Sequence, residues 1–140
     1  MQSQHATNQY KSVGIQSGLD SASPHNLIQM LLDGALGRLA LAKGFIERES
    51  HEEKGRAIGS AISIIGGLQG SLNLEQGGEV AANLDALYTY MTKQLFTAGS
   101  ANDTAKIEEV SGLLEEIREG WQAIKAEAEA NTQVAAEVQP

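Results

Sequence analysis

Cysteine is absent from all 140 residues, which removes disulfides and thiolate metal sites and fits a reducing compartment, a cytoplasmic location being the simplest reading. Aromatic side chains make up only 4% of the chain, and proline occurs twice, once as the final residue. Sandwiches and barrels draw their strands from aromatic and β-branched residues, so this scarcity points away from an all-β fold and towards helices. Basic charge is short as well: ten Lys and Arg stand against eighteen Asp and Glu, a net charge of −8. That balance repels phosphate backbones and anionic lipid, and the basic residues form no cluster to offset it, so no nucleic-acid partner and no membrane insertion are expected. Met1 to Asn8 holds neither a basic region nor an apolar run and does not read as a secretory signal. Ala57 to Leu74 carries no charge over eighteen residues, long enough to be considered as a membrane span. Glycine, serine, glutamine and asparagine fill half of it, and its isoleucines and leucines recur periodically, which makes it a buried helix face instead.

What the chain does hold is helical periodicity. With 41% hydrophobic residues, 140 positions suit one domain around one core. Ser23-Pro24 is the clearest helix start, because a serine hydroxyl accepts from a free N–H of the first turn and proline there forfeits nothing. Leu27, Leu31, Ala35 and Leu39 then share one stripe with Ile28, Leu32 and Leu36 beside it, an apolar face too wide for a lone surface helix. This first helix is expected from about Pro24 to Arg48. Ser50 and Glu53 have capping-box spacing and open a second helix, whose Ile58, Ala61, Ile62, Ile65, Leu68 and Leu72 step by three and four. Gly77-Gly78 ends it and opens a third, with Val80, Leu84, Leu87, Met91 and Leu95 as its stripe. A turn at Gly99 to Asn102, with Asn102 the expected cap, leads to a fourth helix carrying Ile107, Val110, Leu114, Ile117, Trp121 and Ile124. The expected fold is all-α, an antiparallel four-helix up-down bundle over residues 23–130. A flexible N-terminal arm, residues 1–22, precedes it and a disordered tail, residues 131–140, follows.

Catalytic chemistry finds no foothold. The histidines are His5, His25 and His51, and the Glu-x-x-His pairs of a di-iron bundle do not occur. His25 and His51 read as exposed residues at helix starts. The glycine clusters at Gly66-Gly67 and Gly77-Gly78 lack the Lys-Ser/Thr of a phosphate loop, and no strand precedes them. The acidic face of the fourth helix reads as solvated, and nothing marks a nucleophile turn. No cofactor and no metal are expected. Helical glycines are unusually many: Gly34, Gly37, Gly44, Gly55, Gly59, Gly66, Gly67, Gly70, Gly112 and Gly120. Each costs about 1 kcal/mol against alanine in a helix interior. Close helix packing is the first explanation for most of them, and shallow grooves that accept another chain's amphipathic segment are the second.

Three stretches in order resemble the FliS family of flagellar secretion chaperones. They are Ser23-Pro24-x-x-Leu27-Ile28-x-Met30-Leu31-x-Asp33-Gly34-Ala35-Leu36, then Ser71-Leu72-x-x-Glu75-x-Gly77-Gly78-Glu79-Val80-Ala81-x-Asn83-Leu84-x-x-Leu87-Tyr88-x-Tyr90-Met91, then Glu109-Val110-x-x-Leu113-Leu114-x-x-Ile117-Arg118-x-x-Trp121. The resemblance implies a cytosolic, non-enzymatic four-helix bundle. It further implies binding of the disordered C-terminal segment of flagellin, prevention of premature polymerisation, and delivery to the flagellar type III export gate. Tyr10 matches the N-terminal tyrosine that the family uses for client and gate contacts. Met30, Leu31, Tyr88, Tyr90 and Met91 are candidates for a client groove, since methionine and tyrosine adapt to varied partners. Leu27, Leu84 and Trp121 are assigned to the core, and Asp33, Asn83 and Arg118 to hydrogen bonds that organise the bundle. Two alternatives remain: a chaperone or adaptor for another flagellar protein, and a helical-bundle phosphotransfer protein, which needs an exposed mid-helix histidine.

Overall fold

The Ser23 side-chain oxygen accepts from the Asn26 N–H at 3.1 Å, and Pro24 takes the first helical position, so the chain enters its first helix as its local chemistry dictates. In the computed structural model, which describes residues 23–138, α1 spans Pro24–Glu47, α2 His51–Gly70, α3 Gly78–Ala101 and α4 Thr104–Val138. Tyr10, His5 and the rest of the expected arm lie outside the described residues. α1 packs on α2 and α4, and α3 packs on the same two helices, so the four close a ring. Cross-helix bonds show each neighbour running antiparallel. His25, Asp33 and Lys43 on α1 meet Trp121, Arg118 and Glu108 on α4, while Lys54 and Gln69 on α2 meet Gly99 and Asp85 on α3. The expected all-α, antiparallel four-helix bundle is the observed fold.

The core is the interlocking of the four stripes. Leu32 and Leu39 of α1, Ile65 and Leu68 of α2, Met91 and Leu95 of α3, and Ile107, Val110 and Leu114 of α4 are fully buried. No buried polar or charged residue interrupts it among the described residues. Of the residues assigned to the core, Leu84 and Trp121 are half-buried against it, whereas Leu27 is half-buried outside the core cluster. Val80 and Ile124, which share the periodicity of buried neighbours, are 69% and 54% exposed. They lie near the end of the bundle where α1 begins and α4 runs on, and periodicity records a side chain's direction without recording whether anything stands opposite.

Helix ends depart from the expected caps in three places. Ser50 precedes α2 without a side-chain cap bond, and its N–H, which Glu53 would take in a capping box, serves the end of α1 instead. That end is a Schellman turn, with Ser50 N–H on Phe45 O at 2.8 Å, Glu49 N–H on Ile46 O at 3.1 Å, and Glu49 in the left-handed region at φ 58°. Asn102 does not cap α4: it takes φ 53° and closes α3, and the Asp103 carboxylate accepts from Ala105 and Lys106 N–H at 3.0 and 3.4 Å. α2 ends at Gly70, before Gly77-Gly78, and a turn fills the interval. At the other end, α4 runs to Val138, past the point near Ala130 where a disordered tail is expected. Ala126 to Ala130 is alanine and glutamate alone, strong helix formers that carry the helix where the apolar pattern has lapsed.

Most of the helical glycines are not packing contacts. A Cβ at Gly34 would sit 3.5 Å from Ile64 Cδ1 and one at Gly67 3.9 Å from Leu31 Cδ1, but at Gly37, Gly55, Gly59, Gly66, Gly70, Gly112 and Gly120 it would meet nothing within 4 Å. Both distances are ordinary van der Waals contacts, so close approach does not require glycine at either; a Cβ at Gly44 would be tighter, 3.2 Å from Arg48 Nη1, and the other seven face open space. Lys54 supplies one compensation. Its Nζ donates to Gly99 O at 2.9 Å and Asn102 Oδ1 at 2.7 Å, setting a cation on the negative end of α3. Lys54→Met is expected to lower stability by about 1 kcal/mol, read as a drop in thermal midpoint.

Candidate functional site: an open apolar face between α3 and α4

Where α3 begins and α4 nears the end of the bundle, the two helices leave apolar surface uncovered. Their pairing is anchored by Glu109, whose carboxylate accepts from Tyr90 Oη at 2.8 Å and Gln94 Nε2 at 2.9 Å. Antiparallel register from that point sets Leu87 level with Leu113, Leu84 with Ile117, and Val80 with Gly120 and Trp121. Leu84, Leu87, Leu113 and Ile117 are half-buried and packed on the core. Val80 and Ile124 stand exposed beyond them, and Gly120 leaves a notch. Together these residues make the candidate face, while Leu41, Leu74 and Phe96 are exposed as well.

Polar groups rim the face. Hydrogen bonds from Gln94 and Tyr90 hold the Glu109 carboxyl below its ordinary range, and the bond to Glu109 raises the Tyr90 phenol. Tyr90 is 42% exposed, its ring beside the face and its hydroxyl tied down. The other client candidates divide sharply. Leu31, Tyr88 and Met91 are buried in the core at 8%, 3% and 0% exposure, and burial raises the Tyr88 phenol. Met30 is half-buried on α1, across the bundle from α3. Val80, Leu87, Leu113 and Ile124 are the face residues that sequence reasoning missed as such. Periodicity sets their direction and leaves open what stands opposite.

Of the residues expected to organise the bundle, Asp33 and Arg118 do so through an Arg118 Nη1 to Asp33 Oδ1 ion pair at 3.1 Å, while Asn83 is exposed. That pair and Lys43–Glu108, at 2.7 Å, bridge a second concavity of about 570 Å³ between α1 and α4. The bond to Glu108 raises the Lys43 ammonium. Both pairs tie helix to helix instead of leaving a charge for a ligand.

His25 is not the exposed residue its position implies. Its ring stacks on Trp121 with centroids 4.3 Å apart and planes 12° from parallel. The ring is half-buried, with Nε2 3.0 Å from Trp121 O and Nδ1 buried, so neither nitrogen stands open to a phosphoryl group. His51 is exposed, but it opens α2 rather than sitting mid-helix.

An all-helical bundle with an uncovered apolar face and these motifs meets its relatives directly. The family described as Flagellar protein FliS matches residues 6–128. The chain belongs to the FliS family. The flagellar secretion chaperone FliSB of Pseudomonas aeruginosa is 50% identical over 124 residues, covering 89% of this chain and 98% of that protein. The flagellar secretion chaperone FliS of Salmonella typhimurium is 47% identical over 120 residues, 85% of this chain and 89% of its own length. That of Bacillus subtilis is 35% identical over 113 residues, 80% and 84% of the two chains. A FliS-family chain is a flagellar secretion chaperone, which is not an enzyme class, and its ring of four helices is the scaffold that carries the face described above. No helix among the described residues is long and apolar enough to cross a membrane.

Proposed function

We propose that this chain is a cytoplasmic, non-enzymatic export chaperone that binds the disordered C-terminal segment of flagellin, keeps it from polymerising and delivers it to the flagellar type III export gate. The observation that carries this reading is the uncovered apolar face along Val80, Leu84 and Leu87 of α3 and Leu113, Ile117 and Ile124 of α4. An amphipathic segment laid along it buries its own apolar stripe, and a subunit whose sticky end is covered has no complementary surface to offer another subunit. The negative charge of the chain favours no other class of macromolecular surface, neither nucleic acid nor anionic membrane. Tyr10 is assigned to client and gate contacts by its place in the family pattern.

Mixing the purified chain with full-length flagellin and with flagellin lacking its C-terminal segment tests the proposal. A complex with the full-length protein alone, seen by calorimetry or gel filtration, is expected. Equal binding to both, or to neither, overturns it.

A further inference from the structure

The contact between the first turn of α1 and α4 is built differently from every other helix contact described above. Besides the stack, two hydrogen bonds run reciprocally between the same residues: Trp121 Nε1–H donates to His25 O at 2.9 Å, and His25 Nε2 lies 3.0 Å from Trp121 O. A carbonyl only accepts, so Nε2 carries the proton in this arrangement. The other ring nitrogen, Nδ1, is buried and has no hydrogen-bond partner. In the neutral Nε2–H tautomer that leaves one weak acceptor unused. A second proton has nowhere to sit but Nδ1, where it creates a buried N–H facing no acceptor.

The charges around the ring add to this. On α1 itself the first turn holds no acid, and the helix start is its positive end. From α4, Lys125 reaches Asn26 Oδ1 at 3.1 Å, and Arg118 lies one turn before Trp121, paired to Asp33. The carboxylates of the α2–α3 turn and the start of α3, Glu75 and Glu79, are exposed. α4 also carries Glu115, Glu116 and Glu119 close before Trp121, all exposed, and no carboxylate among the described residues is bonded to the ring.

We propose that His25 and Trp121 form a proton-sensitive clasp, in which the neutral imidazole locks the first turn of α1 to α4 and protonation releases it. Histidine alone among ordinary side chains changes charge across the physiological range, so the clasp is closed at its alkaline side and opens as pH falls. Trp121 also neighbours the apolar face on α4. Resting on the flagellin-binding reading above, the clasp thus couples proton concentration to the shape of the client surface.

Trp121 is the chain's single tryptophan, so its emission reports the clasp without ambiguity. Titrating the full chain from about pH 8 to about pH 5 is expected to give one reversible, one-proton step in emission with far-ultraviolet dichroism unchanged, and His25→Gln is expected to abolish the step. No step, or the same step in His25→Gln, overturns the clasp. Nitrogen-15 spectra of the wild-type imidazoles test it without a substitution. They are expected to show His25 as the Nε2–H tautomer at about pH 8, and the Nδ1–H tautomer overturns the proposal. Flagellin bound equally at both ends of the titration, with the emission step present, removes the coupling to the client. Flagellin bound at neither removes the proposed function and leaves the clasp standing.

Discussion

Met91→Ala is expected to destabilise the chain by about 2–5 kcal/mol, a large share of a domain's usual margin, and to lower flagellin binding only through loss of folded protein. The side chain is fully buried on α3 and belongs to the core cluster shared by all four helices. Truncation removes apolar contacts and leaves a cavity that the surrounding helices fill only in part. Val80→Asp is the converse case. A side chain 69% exposed loses little on folding when it is replaced, so the midpoint of urea unfolding should stay nearly fixed while affinity for flagellin falls at least tenfold. Urea titration and calorimetry on both variants separate core from face. If Met91→Ala folds normally and binds poorly, the division made here between α3's inner residues and its open end is wrong.

The second large effect runs the other way. Gly59→Ala, Gly66→Ala and Gly112→Ala together are expected to stabilise the chain by roughly 2 kcal/mol and raise its melting temperature by about 6–10 °C. All three lie within helices, and a methyl group at each would meet nothing within 4 Å. Alanine there narrows the unfolded ensemble without crowding the native one. None of the three belongs to the proposed client face, so binding should survive the gain in stability. A melting temperature that falls instead shows that these positions carry a contact absent from the structure, and loss of flagellin binding extends the client surface to the outer faces of α2 or α4.

Periodicity made the bundle legible, and its blind spots are specific. The spacing from Ile107 to Trp121 correctly set the inner face of α4, and Ser23-Pro24 correctly started α1. The same spacing placed Val80 and Ile124 on their stripes without revealing that the helices part there. Tyr88 and Met91 are client candidates by their chemistry and lie in the core, since adaptable side chains fill irregular cores equally well. Asn102 closes α3 and leaves the start of α4 to Asp103, because two adjacent residues both suit helix ends and the left-handed turn at Asn102 decides which end each serves. The partnership of His25 with Trp121 had no local signal at all, since it joins residues 96 positions apart.

That separation has a consequence for the order in which the molecule assembles. α1 with α2, and α3 with α4, are hairpins whose turns bring their partners together at small entropic cost. The seam of α1 with α4 closes longer loops, from Lys43 with Glu108 near the α1–α2 turn out to His25 with Trp121, 96 positions apart. Loop entropy therefore makes this seam the costliest edge of the ring to close, and its His25 end costlier than its Lys43 end, as a book is bound along one side and open along the other.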